Sequence, residues 1–141
     1  MTLPGINHLL AQPEKHLKGK TVGLVVNHTS LASDHKHSIA HFNSHPSFTL
    51  TALFAPEHGL YGIAQDMIEI ENEVDPVSGL TISSLYGKTE ATLEPHPSDL
   101  AGIDNLIFDI QDVGARYYTF IYTMAKCMDI CKKSGTRMIV C

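Results

Sequence analysis

Short apolar runs, rich in β-branched residues and separated by polar and glycine-bearing stretches, set the plan of this chain. Thr21-Val22-Gly23-Leu24-Val25-Val26-Asn27, led in by Lys18-Gly19-Lys20, has the unbroken apolar character of a strand buried on both faces. Phe48 to Ala55 alternates apolar with polar or small residues, then turns apolar throughout until Pro56 ends it, which predicts a second strand. Leu80 to Leu85 predicts a modest strand ending at Tyr86-Gly87. Ile103 to Ile110 predicts a strong one, because Leu106-Ile107-Phe108 needs burial on both sides. Arg137 to Cys141 begins a further buried strand in which the sequence stops, so the chain is expected to be the N-terminal part of a longer protein.

Between these runs the period changes. Asp34 to Phe42 reads as a helix with Ser33 or Asp34 as N-cap, closed by Asn43, His45 and Pro46. Ser98 to Gly102 reads as a helical turn. Tyr117 to Lys133 carries apolar residues at 117, 120, 121, 124, 127, 128 and 131, the spacing of one helical face, with Lys132 and Lys133 suited to the C-terminal dipole and Ser134-Gly135 as the stop. Pro56 to Pro76 is glycine-rich and then acidic (Glu57, Asp66, Glu69, Glu71, Glu73, Asp75) and reads as a long functional loop with room for a short hairpin. Strands alternating with helices at this spacing predict an α/β fold, with an open, mostly parallel sheet and helices on both faces.

Composition narrows the function. The chain's 141 residues, 43% hydrophobic and 18% charged, suffice for one domain with a real core. Ten Lys+Arg against fifteen Asp+Glu give a net charge of −5 with no basic cluster, which argues against a nucleic-acid partner. No apolar run approaches the roughly 20 residues that cross a bilayer, so no membrane span is expected. The N-terminus lacks the basic and apolar regions of a secretory signal, which places the protein in the cytoplasm as written, or in the periplasm or outside if a signal has been removed. Cys127 and Cys131, four apart on one helix face, are expected to be reduced and core-facing, and with Cys141 they make no zinc spacing.

In an open α/β sheet, ligands bind beyond the carboxyl ends of the strands. The segments leaving those ends here are Asn27-His28-Thr29-Ser30, Pro56-Glu57-His58-Gly59, Tyr86-Gly87, and Asp109-Ile110-Gln111-Asp112-Val113-Gly114-Ala115-Arg116-Tyr117-Tyr118. Nearly all the chemically able residues fall on one edge, and the glycine signatures of dinucleotide and P-loop sites are absent. Glu57 suits a general acid, or else a solvated or capping role. Asp109 and Asp112 can place a second carboxylate opposite it, although Asp112 can equally cap the next helix. Arg116 can bind a substrate carboxylate while Tyr117 and Tyr118 carry a sugar face, or it can pair with Asp109 or Asp112. Of nine histidines only His28 and His58 lie on this edge. With Asp109 and Asp112 they can hold an ion, but the expectation is no metal and no cofactor.

These segments together resemble the exo-β-N-acetylmuramidases of the NamZ type. The resemblance rests on Leu17 to Thr29, on Ala52-Leu53-Phe54-Ala55-Pro56-Glu57-His58-Gly59-Leu60-Tyr61-Gly62 with Ala64-Gln65-Asp66, on Ser78-Gly79-Leu80 with Ser84-Leu85-Tyr86-Gly87, and on Asp104 to Thr119, in that order. It implies that residues 1–141 are an incomplete N-terminal Rossmann-like catalytic domain whose smaller C-terminal companion is absent. It implies a glycosidase that releases N-acetylmuramic acid from the non-reducing end of peptidoglycan fragments, a muramyl saccharide being the partner. Glu57 would be the acid/base, with Asp109 and Asp112 as further catalytic candidates. Asn27, His28, His58, Asp66, Gln111, Arg116 and Tyr117 would bind substrate. Two residues depart from the family's usual pattern: His28 stands where Gln is common, and Ala55 where Gly is usual. The alternatives from other classes are a non-catalytic cell-wall saccharide-binding module and a metal-dependent hydrolase.

Overall fold

The strand β1 (Thr21–Val26) sits inside the sheet because it has almost nothing to offer water; every residue after Thr21 is buried. A computed structural model describes residues 3–62, 73–87 and 89–141. In it β1 is flanked by β2 (Thr49–Ala55) and, on its other side, by β5 (Asn105–Asp109), both parallel to it. Beyond β2 lies β4 (Thr81–Ser84), and beyond that the antiparallel β3 (Glu73–Val74). Beyond β5 lies β6 (Arg137–Val140), giving the order β3-β4-β2-β1-β5-β6. The α/β class and the mostly parallel sheet agree with the expectation, and β3, inside the loop of residues 56–76 where a short hairpin is expected, pairs antiparallel with β4, which lies beyond that loop. Most of the acidic stretch before β3 lies outside the described residues.

Side-chain parity divides the core in two. Val22, Leu24 and Val26 of β1 and Ile107 of β5 pack with Ile6, Leu9 and Leu17 of the N-terminal helices α1 (Gly5–Ala11) and α2 (Glu14–Leu17), and with Ile39 and Phe42 of α3 (Ser38–Asn43). Val25, Leu106 and Phe108 point the other way, onto Phe120, Cys127, Ile130 and Cys131 of α4 (Phe120–Ser134). In β2 the alternation breaks: Leu50 and Leu53, three apart, share a face. The register supplies the reason, because Val22 faces Leu50 while Gly23 faces Ala52, a bulge that inserts one residue into β2. At α1 the backbone of Gly5 lies so close to Cys141 that a Cβ there would collide with the Cys141 backbone, so the first helix is closed over the end of the last strand.

Three expectations need correction. α3 begins at Ser38 rather than Asp34, with His37 as its N-cap, because His37 Nδ1 accepts from Ile39 N–H at 3.2 Å while the Asp34 carboxylate is occupied with Lys36 N–H and His41. α4 begins at Phe120, leaving Tyr117 92% exposed; its buried line is Phe120, Thr123, Cys127, Ile130 and Cys131, while Ile121 and Met128 face outward. β6 is only half-buried, being next to β5 alone. Gly135 does end α4, in the left-handed conformation at φ 77°. The thiols of Cys127 and Cys131 are free and buried, and burial pushes them up to about 12 and about 11, which leaves them unreactive.

At the amino end of β5, Asp104 ties the central strands together. Its Oδ2 accepts from Thr21 N–H at 2.9 Å and from the Thr21 hydroxyl at 3.1 Å, and its Oδ1 from Lys20 Nζ at 3.3 Å. The two bonds from Thr21, and then Lys20, hold this carboxyl below its usual range. A carboxyl depressed in the folded state stabilises fully above the unfolded value and loses that contribution as pH falls through the folded one. Asp104→Asn should therefore lower the urea midpoint at neutral pH, with the gap from wild type closing as pH drops below the ordinary aspartate range. A gap independent of pH would assign the loss to something other than this charge.

Candidate active site

The order of connections sets the site. From β1 the chain steps to β2 and β4 on one side, then crosses back to β5 and β6 on the other, so the carboxyl ends of β1 and β5 flank a topological switch point. The segments leaving these two strands are tied together. Asn27 Oδ1 accepts from Thr29 N–H at 2.9 Å and from the Thr29 hydroxyl at 2.6 Å, and Thr29 Oγ1 in turn accepts from Gln111 N–H at 3.3 Å. The Ser30 hydroxyl donates to the carbonyl of Asp109, and the Ser38 hydroxyl to its carboxylate. His37 completes the tie, its Nε2–H donating to the Asn27 carbonyl at 2.8 Å, which leaves Nδ1 as the acceptor that caps α3.

Glu57 follows β2 in a turn closed by Gly59 N–H to the Pro56 carbonyl at 3.0 Å. The third position of that turn, His58, has φ 71°, a left-handed conformation that costs a residue with a Cβ about 1–2 kcal/mol. Backbone strain of this kind concentrates at functional sites. The Glu57 side chain is only 7% exposed, and its Oε2 accepts from the Thr119 hydroxyl at 2.9 Å. With His58, Tyr117 and Tyr118 it lines an open cleft of about 360 Å³, inside the range of small-ligand sites. The Tyr118 ring meets His58 edge-on at 6.2 Å and leans on Phe120 at 5.5 Å, which fixes that wall to α4.

The other expected residues lie around this cleft or apart from it. Arg116 and Tyr117 occupy the tip of a turn closed by Tyr118 N–H to the Ala115 carbonyl, and both project from the body of the domain. No ion pair joins Arg116 to Asp109 or Asp112 among the described residues. Asp112 is exposed and accepts from Gly114 N–H at 2.8 Å, so it shapes its own turn and does not cap α4, whose N-cap is Thr119. Asp109 is buried, 9% exposed, and engaged with Ser38. Gln111 is exposed, with its backbone bound to Thr29. His28 is exposed, its ring against the backbone of Gly62, whose φ of 67° and lack of a Cβ make room for it. Asp66 lies outside the described residues. Among the described residues no three His, Cys, Asp or Glu side chains stand close enough to share a metal ion.

Glu57, His58 and Tyr117 are thus brought to one cleft, while Asn27, Asp109 and Gln111 serve the neighbouring tie between loops. Sequence reasoning misses Ser30, Ser38 and His37, because their partners are strand-end groups whose approach only the fold decides. It also gives no role to Thr119, although this residue stands at the end of the FDIQDVGARYYT phrase, immediately before the helix, where threonine is a favoured N-cap.

A doubly wound α/β domain with a buried glutamate and an aromatic wall at its carboxyl edge defines the class. Residues 22–141 match the family described as exo-beta-N-acetylmuramidase NamZ, N-terminal, and the chain belongs to that family. It is 44% identical over 136 residues to the peptidoglycan beta-N-acetylmuramidase NamZ of Bacillus subtilis (strain 168), a match covering 96% of this chain and 32% of that protein. Crystal structures of two DUF1343 family proteins from Bacteroides fragilis NCTC 9343 share the fold. One has a TM-score of 0.85 and 37% identity over 98% of this chain, the other a TM-score of 0.62 and 29% identity over 93%, each match spanning 33% of the longer chain. The chain therefore spans about a third of the length of the relatives it matches.

Asp109 supplies a test of the loop tie. Burial raises its carboxyl above the usual range, and the bond from Ser38 offsets this only in part. A carboxyl raised in the folded state favours folding as pH falls toward its unfolded value, and its ionisation costs stability above the folded one. Asp109→Asn, which retains an acceptor for Ser38, should be at least as stable as wild type at neutral pH, with the difference narrowing on acidification. Denaturant titrations at several pH values check this. A large loss at neutral pH would mean that the negative charge itself holds the loops.

Proposed function

We propose that this chain is the substrate-binding and acid-bearing part of a glycoside hydrolase acting on peptidoglycan, releasing terminal N-acetylmuramic acid from the non-reducing end. The observation that carries the reading is Glu57, buried at the mouth of an open cleft, hydrogen-bonded on one oxygen and faced by tyrosine rings. Membership of the NamZ family supports the same substrate class. In this reading Glu57 protonates the glycosidic oxygen as the bond to it breaks. Tyr117 and Tyr118 carry the flat face of the sugar and His58 completes the lining beside Glu57, while Asn27 and Gln111 act through the loop tie beside the cleft. Of the two other carboxylates, Asp112 faces solvent and is free to act on a bound sugar or on water, whereas Asp109, committed to Ser38, holds the loops in place.

The test is hydrolysis of a chromogenic N-acetylmuramic acid β-glycoside beside its N-acetylglucosamine counterpart, using the full-length gene product. Glu57→Gln should keep its fold by circular dichroism and lose at least about a hundredfold in turnover. Near-normal turnover would move the acid to another carboxylate, and saccharide binding without any hydrolysis by the wild type would leave a binding module.

Discrimination between the two sugars needs a cation, since only N-acetylmuramic acid carries a lactyl carboxylate. Arg116, at the tip of its turn and in no ion pair with the nearby aspartates, is suited to reading it, its planar fork offering two parallel bonds that lysine cannot copy. Arg116→Lys should weaken binding of N-acetylmuramic acid by about 1.5–3 kcal/mol while leaving binding of the lactyl amide nearly unchanged. Calorimetry on both ligands measures the difference, and a preference for the free acid that survives the substitution would place the cation elsewhere.

A further inference from the structure

We infer that Thr119 is a positioning residue for Glu57, holding one carboxyl oxygen so that the other delivers the proton. The inference rests on the reading of Glu57 as the acid. Thr119 is the N-cap of the 15-residue helix α4, and a threonine there ordinarily turns its oxygen back to accept from an N–H of its own first turn. It makes no such bond. Its hydroxyl donates instead to Glu57 Oε2 at 2.9 Å, 62 residues away in sequence. The backbone that carries this hydroxyl is well held: the Thr119 carbonyl accepts from Thr123 N–H at 2.9 Å and from the Thr123 hydroxyl at 3.2 Å, and Phe120 beside it is buried. Thr119 has φ −88° and ψ 2°, outside the extended geometry from which a threonine caps, so its hydroxyl is not held by the helix and is fixed instead on the carboxyl at the cleft.

This arrangement has a chemical consequence. With Oε2 occupied by a donor, Oε1 is the oxygen left to carry the proton. As Oε1–H passes its proton to the glycosidic oxygen, the carbon–oxygen bond breaks with its electron pair remaining on that oxygen, Glu57 becomes a carboxylate, and the electron-poor anomeric carbon takes the oxygen of a water, directly or after a covalent step, with the water's proton released. The negative charge then spreads onto Oε2, where Thr119 already donates, so a bond between neutral groups becomes a charge-assisted one as the reaction proceeds. An interaction that strengthens toward the transition state raises turnover without tightening substrate binding. A tie that only fastened the β2 loop to α4 would have no such dependence on the leaving group.

The experiment uses the full-length gene product and aryl β-glycosides of N-acetylmuramic acid with leaving groups of graded acidity. Thr119→Val should lower kcat on a poor leaving group by about tenfold to a hundredfold with KM changed less than about threefold, the loss shrinking on a dinitrophenyl leaving group that departs without a proton. Thr119→Ser, which keeps the hydroxyl, should restore most of the rate. Equal losses on every leaving group, an unchanged kcat, or failure of serine to rescue would overturn the inference. Should valine misfold by circular dichroism, Thr119→Ala read against Thr119→Ser makes the same comparison. Glu57→Gln assayed in parallel separates the two claims: retained turnover there removes the acid reading itself, whereas its loss beside an unaffected Thr119→Val removes only the role of Thr119.

Discussion

The parallel pairing of Thr21–Val26 with Asn105–Asp109, each strand covered on both faces, is the constraint on which the rest of the structure depends. Two buried faces leave no room along these strands for a side chain that needs water, so polar groups are driven to the strand ends. At the amino end Asp104 and Thr21 bind each other. At the carboxyl end Asn27 and Asp109 must find partners for groups that are almost wholly withdrawn from solvent. Asn27 Oδ1 and Asp109 find theirs in Thr29, Ser30 and Ser38, while Asn27 Nδ2 stays buried without one among the described residues, and these bonds fix the positions of the loops. The cleft inherits its geometry from that requirement.

The cleft itself is built at some cost to local structure. His58 holds a left-handed backbone, and α4 begins without a side-chain cap, the Thr119 hydroxyl being held by Glu57. Both departures bear on the same residue, Glu57: one sets the turn that presents it, and the other holds its carboxyl. Neither lies within the apolar clusters that pack on the two faces of the sheet. Their coincidence at one glutamate is what the proposed role of Glu57 as the acid would require.

Much of the fold is legible in the sequence because the central strands are unbroken apolar runs that no other element would bury. Leu106-Ile107-Phe108 is the plainest case. Legibility fails where a choice depends on contacts far along the chain. The start of α3 is set by His37 reaching the Asn27 carbonyl, which competes with the ordinary capping signal of Ser33 and Asp34. The odd spacing of Leu50 and Leu53 makes sense only once the bulge opposite Val22 and Gly23 is known. Tyr117 has the right spacing for the helix face and yet lies outside the helix, because the turn from Ala115 to Tyr118 comes first. Within the site, Glu57 and its tyrosines are expected from their place after the strands. The occupation of Asp109 by Ser38, 71 residues earlier, has no local signature at all.

The closure of Gly5 against Cys141 has a meaning for how the molecule is made. A ribosome adds roughly 5–20 residues each second, so about 7–27 seconds separate the synthesis of these two positions. During that interval the part of α1 nearest Gly5 lacks its partner at Cys141, while Ile6 and Leu9 pack on Leu17 and on the β1 residues Val22, Leu24 and Val26, which are made early. The central strands can pair before β6 exists, whereas α1 gains its contact with Cys141 only once that residue has been made.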